Sequence, residues 1–159
     1  MLKEIDTPSH NYAITIGVLR GLSELGTEDA LKKILEYADK SKPTWVYLSA
    51  VLALAKFPDK KEAQEKIVEA LKSEKFRVRA AAVLAVKETM DSRYLVYLDN
   101  LTQTDLFERI RRLARDTAKK IRTQMEKGAE YKKLREEIEK IKEDNRRLLD
   151  TMAKLEATG

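Results

Sequence analysis

The sequence predicts an all-α protein, a solenoid of stacked helix pairs followed by a carboxy-terminal coiled-coil helix. Three observations lead there. The stretch Phe76-Arg77-Val78-Arg79-Ala80-Ala81-Ala82-Val83-Leu84-Ala85-Val86 recurs at a spacing of 32 residues, so that Ile14, Val46, Val78 and Ile110 form one column. The columns Val18, Ala50, Ala82, Ala114 and Leu22, Leu54, Val86, Ala118 follow at the same spacing. Self-similarity at a period of this size is the signature of a helical repeat array. Second, the expected helix starts Thr27, Asp59 and Asp91 are also 32 apart. Third, with only 5 Gly and 3 Pro in 159 residues there is little material for strands and tight turns, and the remainder favours helix.

Taken in order, Thr7-Pro8 reads as an N-cap with proline in the first turn. The first helix runs to about Leu25, with Ile14, Val18, Leu22 and Leu25 on one face. Gly17 and Gly21 lie within it, and two glycines one turn apart are expected to mark a close helix contact. Gly26 suits a C-cap. Thr27 opens a second helix through Ala30, Leu31, Ile34, Leu35 and Ala38. Lys42-Pro43 breaks the chain, and Thr44 or Ser41 is expected to cap the next helix, which carries Trp45, Val46, Leu48, Ala50, Leu52 and Leu54. After Pro58, Asp59 with Glu62 has the form of a capping box for a helix through Ala63, Ile67, Ala70 and Leu71. Asp91 starts a helix through Leu95 and Leu98. The last copy begins near Asp105 and runs through Ile110, Ala114, Ala118 and Ile121 to Met125.

Val78-Arg79-Ala80-Ala81-Ala82 and Ile110-Arg111-Arg112-Leu113-Ala114 resemble the Val-Arg-x-x-Ala signature on the second helix of HEAT repeats. Val46-Tyr47 and Ile14-Thr15 keep the apolar residue and lose the arginine. The resemblance covers residues 9–125 and implies a right-handed α-α superhelix. Residues 1–127 then form about three and a half repeats, and 128–159 the coiled-coil helix. The signature arginines, Arg79 among them, are expected at the surface. The first helix aligns with the second helix of a repeat, and so the natural chain is expected to continue upstream.

A finer likeness lies in Leu19-Arg20-Gly21-Leu22, Leu25-Gly26, Ala30-Leu31, Leu35-Glu36-Tyr37, Lys42-Pro43-Thr44-Trp45-Val46, the Arg-rich final copy and Leu134-Arg135-Glu136-Glu137-Ile138. This succession resembles the carboxy-terminal HEAT region of prokaryotic zinc aminopeptidases of the gluzincin class. The resemblance implies a non-catalytic domain that packs beside a catalytic domain and helps enclose its substrate chamber. Zinc is expected only in that upstream domain, because neither Gly-x-Met-Glu-Asn nor His-Glu-x-x-His occurs here. The alternative is a free-standing HEAT adaptor for a protein partner.

After Gly128 the periodicity changes. Tyr131, Ile138, Asn145 and Met152 alternate with Leu134, Ile141, Leu148 and Leu155, a four-heptad a/d seam with one polar a position. Glu130 with Arg135 and Glu137 with Lys142 stand at the spacing that joins two parallel strands across such a seam. A parallel homodimer is expected.

No cofactor or catalytic chemistry is expected in this chain. Cysteine is absent and His10 is the single histidine, so thiolate and imidazole metal sites cannot form. His10 is expected to cap a helix or lie at the surface. No signal pattern or long apolar run is present, and a cytoplasmic protein without membrane contact is expected. The net charge of +5 comes from 32 basic and 27 acidic residues. Such interspersed charge suits ion-pair networks of the kind found in thermophile proteins. The cluster Arg109, Arg111, Arg112, Arg115, Lys119, Lys120 and Arg122 could face phosphates. The favoured reading is a solvated outer face, its arginines paired with Asp105, Glu108 and Asp116, with nucleic acid not the partner. Trp45 and Phe76, at helix starts where repeats meet, are expected to pack.

Overall fold

The computed structural model describes residues 12–157, which form seven α-helices and no strand among the described residues. Thr7-Pro8 and His10 lie outside these residues. The helices are α1 (Ala13–Leu25), α2 (Glu28–Tyr37), α3 (Thr44–Leu54), α4 (Lys61–Leu71), α5 (Phe76–Thr89), α6 (Leu95–Thr104) and α7 (Glu108–Ala157). A 3₁₀ turn, Ser92–Tyr94, leads into α6. The chain resolves into two compact units, Met1–Ile121 and Arg122–Gly159, with α7 continuous through both.

In the first unit the pairs α2/α3 and α4/α5 stack, α3 packing on both α1 and α5. The repeat columns form the stacking faces: Val46, Val78, Ile110, Ala50, Ala82, Ala114, Leu54, Val86 and Ala118 are each at most 2% exposed. From α3 onward the middle column is alanine, Ala50, Ala82 and Ala114, because helix axes that approach within about 8–10 Å leave room there for little more than a methyl group. The first column fails at its start. Ile14 is 40% exposed, since among the described residues no helix stacks before α1. Leu25 is also exposed, and α1 instead buries Thr15, Val18, Leu19, Leu22 and Ser23.

Local signals were obeyed unevenly. Gly26 ends α1 with φ 64°, a left-handed conformation that favours glycine. Thr27 caps α2 through its hydroxyl, which accepts from the Ala30 N–H at 3.2 Å, and Asp91 caps the 3₁₀ turn by accepting from the Arg93 N–H at 2.9 Å. The capping box at Asp59 does not form. Lys60 occupies the N-cap instead, with its ammonium paired to Glu28 one repeat earlier. Pro43 precedes α3 with no side-chain cap. The Thr44 hydroxyl accepts from Lys75 Nζ, and Ser41 turns back to Asp39. The glycine contact is also absent at Gly17, where an added Cβ would meet nothing within 4 Å; Gly21 is half-buried.

Charges follow the repeat as well. Lys56 Nζ lies 3.8 Å from Glu24 and 3.0 Å from Glu88, residues 32 positions to either side of it. This row alternates in sign from one repeat to the next. Among the described residues, no helix is long and apolar enough to cross a membrane.

Candidate protein-interaction groove

Helix α3 reads Thr-Trp-Val-Tyr-Leu-Ser-Ala-Val-Leu-Ala-Leu and has no polar face. A helix apolar all round is normally buried all round. Here Val46, Ala50 and Leu54 stack, Tyr47 and Val51 are also buried, and the remaining face leaves Trp45 exposed and Leu48 and Leu52 half-buried. Trp45 is 48% exposed and Phe76 40%, yet each packs on the next repeat as the sequence predicts, Trp45 beneath Arg77 and Phe76 stacked on Phe107 with ring centroids 5.0 Å apart. Their partial exposure follows from helical phase. Trp45 lies one residue, about 100°, away from the stacking column that starts at Val46.

These side chains, with Ala80, Ala81, Leu84 and Leu113, line a groove of about 690 Å³ between α3, α5 and the start of α7. Leu84 is 42% exposed. Arg77 lies across the Trp45 ring, its guanidinium carbon 4.9 Å from the ring centroid, a cation–π arrangement that holds both side chains in place. Arg109 and Arg112 complete the rim, and Asp116 is the groove's one carboxylate, 3.9 Å from Arg112. At its other end the groove meets a second depression that shares Leu52 and is bordered by Ile16, Arg20, Ser49 and the Lys56–Glu88 pair.

The basic cluster therefore divides. Arg109 and Arg112 line the groove, and Arg111 pairs with Glu108 through Nε at 2.8 Å. Arg115, Lys119 and Lys120 are exposed, and Arg122 belongs to the second unit. Asp105 takes none of this cluster as an ion-pair partner. It binds Arg79, whose side chain is only 12% exposed, so this signature arginine is not at the surface as the sequence suggested. Arg79 Nε and Nη2 donate to Asp105 at 2.6 and 3.0 Å, and Nη1 donates to the carbonyls of Ser73 and Glu74. Burial raises the Asp105 pKa, but hydrogen bonds from Arg79 and from the Phe107 N–H, together with the Arg79 charge, outweigh it and hold the carboxyl below its ordinary value.

The predicted a/d residues of the second unit all lie on α7. Tyr131, Leu134, Ile138, Ile141, Leu148, Met152 and Leu155 are exposed, from 44% at Ile138 to 73% at Tyr131, and Asn145 is exposed among them. Of the proposed cross-strand charges, Lys142 pairs within its own helix with Glu139 at 2.9 Å. The groove residues Leu48, Leu52 and Leu84 were not singled out as functional from the sequence. The available signal was the missing polar face of α3.

Stacked helix pairs with one apolar face left partly open define a helical-repeat architecture. A family model of HEAT repeats matches residues 31–119, more than half of the sequence, and the chain belongs to the HEAT-repeat family. Comparison with curated proteins finds no match.

Proposed function

We propose that this chain is a non-catalytic scaffold that binds a protein partner in the groove of α3, α5 and α7, and self-associates through the heptad seam of the α7 tail. The observation that carries the first part is the groove-lining face of exposed Trp45 and half-buried Leu48 and Leu52 on a helix with no polar side. Keeping apolar groups in water costs about 25 cal/mol per Å², and a contiguous patch of this kind is what an interaction site requires. The heptad pattern with Asn145 at an a position supports the second part.

The narrower reading, a domain beside the catalytic domain of a zinc aminopeptidase, has the residue succession given above as its support. Nothing in the comparisons links the chain to aminopeptidases. An open reading frame upstream encoding both zinc-peptidase motifs would support it, and a stop codon there would exclude it.

Site-specific photo-crosslinking tests the scaffold reading. A photoreactive phenylalanine analogue at Leu84 should yield discrete protein adducts in extract, and the same group at Glu65 on exposed α4 should not. Equal adducts from both positions would refute the groove as the binding surface.

A further inference from the structure

We propose that the groove's partner is an acidic amphipathic helix, an inference that rests on the scaffold reading. The groove carries two chemistries side by side. Its floor is apolar, with Trp45, Leu48 and Leu52 spaced i, i+3, i+7 along α3 and Leu84 supplied by α5. Its rim is cationic, and Arg77 and Arg109 are equivalent positions of successive repeats, so the positive charges form a row along one edge. Among the described residues neither arginine has a carboxylate partner; Arg77 rests on aromatic rings, and the groove's Asp116 is nearest Arg112. A wholly apolar partner would strip water from these guanidinium groups without replacing it. A polyanion such as a nucleic acid would satisfy the rim and leave the leucine floor unfilled. A helix with leucine-type anchors on one stripe and Asp or Glu beside it satisfies both, in the helix-in-groove mode with complementary charge setting its direction.

A displayed library of helical peptides, with a fixed leucine seam and randomised flanks, panned on the full chain, tests this. Selected peptides should carry Asp or Glu along one flank. One of them, synthesised and labelled, should bind Arg77→Glu/Arg109→Glu about tenfold or more weakly, equal to about 1.4 kcal/mol. Its lysine-for-acid counterpart should bind that variant better than the parent. Unchanged circular-dichroism melting certifies the fold, and Arg77→Ala/Arg109→Ala gives the same direction by a milder change. Neutral or basic flanks, or affinities indifferent to both variants, overturn the acidic partner; if Leu84 crosslinks to protein all the same, the scaffold reading stands. Tighter binding of a single-stranded oligonucleotide than of any selected peptide overturns both.

Discussion

Arg79 grips both carboxylate oxygens of Asp105, 26 residues further along, and its remaining nitrogen closes on the carbonyls of Ser73 and Glu74. One guanidinium thus ties α5 to the turn before it and to the turn that opens α7. The Asp105 side chain is 1% exposed, so the pair is desolvated and its members depend on each other. Arg79→Ala leaves a buried carboxylate alone and should cost about 3–5 kcal/mol. Arg111→Ala, which breaks the more exposed pair with Glu108, should cost under about 1 kcal/mol. Urea unfolding of both variants measures the contrast, and equal costs would refute the assignment.

The same pair sets an acid limit. The Asp105 pKa is lowered in the folded chain from its ordinary 3.8. Its contribution is therefore complete above that value and is lost as pH falls through the lower folded value. The stability difference between the parent and Asp105→Asn should be constant near neutrality and shrink below pH 3.8. A difference that grows on acidification would contradict the sign.

One repeat earlier, Tyr47 and Ser73 occupy the positions of Arg79 and Asp105. The Tyr47 hydroxyl is buried without a hydrogen-bond partner among the described residues, and burial pushes its pKa up to about 12. Tyr47→Phe should leave stability unchanged or raise it by about 1 kcal/mol, since it removes an unsatisfied group. Tyr47→Arg and Ser73→Asp together should be more stable than the sum of the two single changes predicts. Additive effects in the double-mutant cycle would show that the interface cannot rebuild the pair.

Ala82 is fully buried in the stacking column, whereas Ala80, two residues away, lines the groove. Ala82→Leu should overpack the stack by about 1–3 kcal/mol, and Ala80→Leu should stay within about 0.5 kcal/mol. Thermal melting separates them.

Light scattering should give twice the chain mass for the full sequence and a single mass for a truncation before Gly128. Two monomers would end the dimer proposal. Asn145→Ile, which removes the polar a position, should raise stability and broaden the oligomer distribution.

The stacking columns were legible because each repeat must bury the same face. Val78 and Ala82 announce that face by their equivalents 32 positions away. Repetition says less about the faces that do not stack. Trp45, Arg77 and Arg109 share a column yet differ in kind, and only their placement around the groove shows that they work together. Arg77 and Arg79 are two residues apart on α5, the first on an exposed aromatic ring and the second buried on Asp105. Sequence spacing alone could not separate those roles, nor foresee that Lys60 would displace Asp59 from the N-cap.

The alternating row Glu24, Lys56, Glu88 gives the array a parity. Excising a single 32-residue repeat would bring Glu24 opposite Glu88, or Lys56 opposite Lys120, two like charges where an attraction stood. Removing two repeats would restore the opposition. The exposed charge row therefore has a period of two repeats where the stacking columns have a period of one, and an array shortened by one repeat would set like charges side by side at a cost of under about 1 kcal/mol.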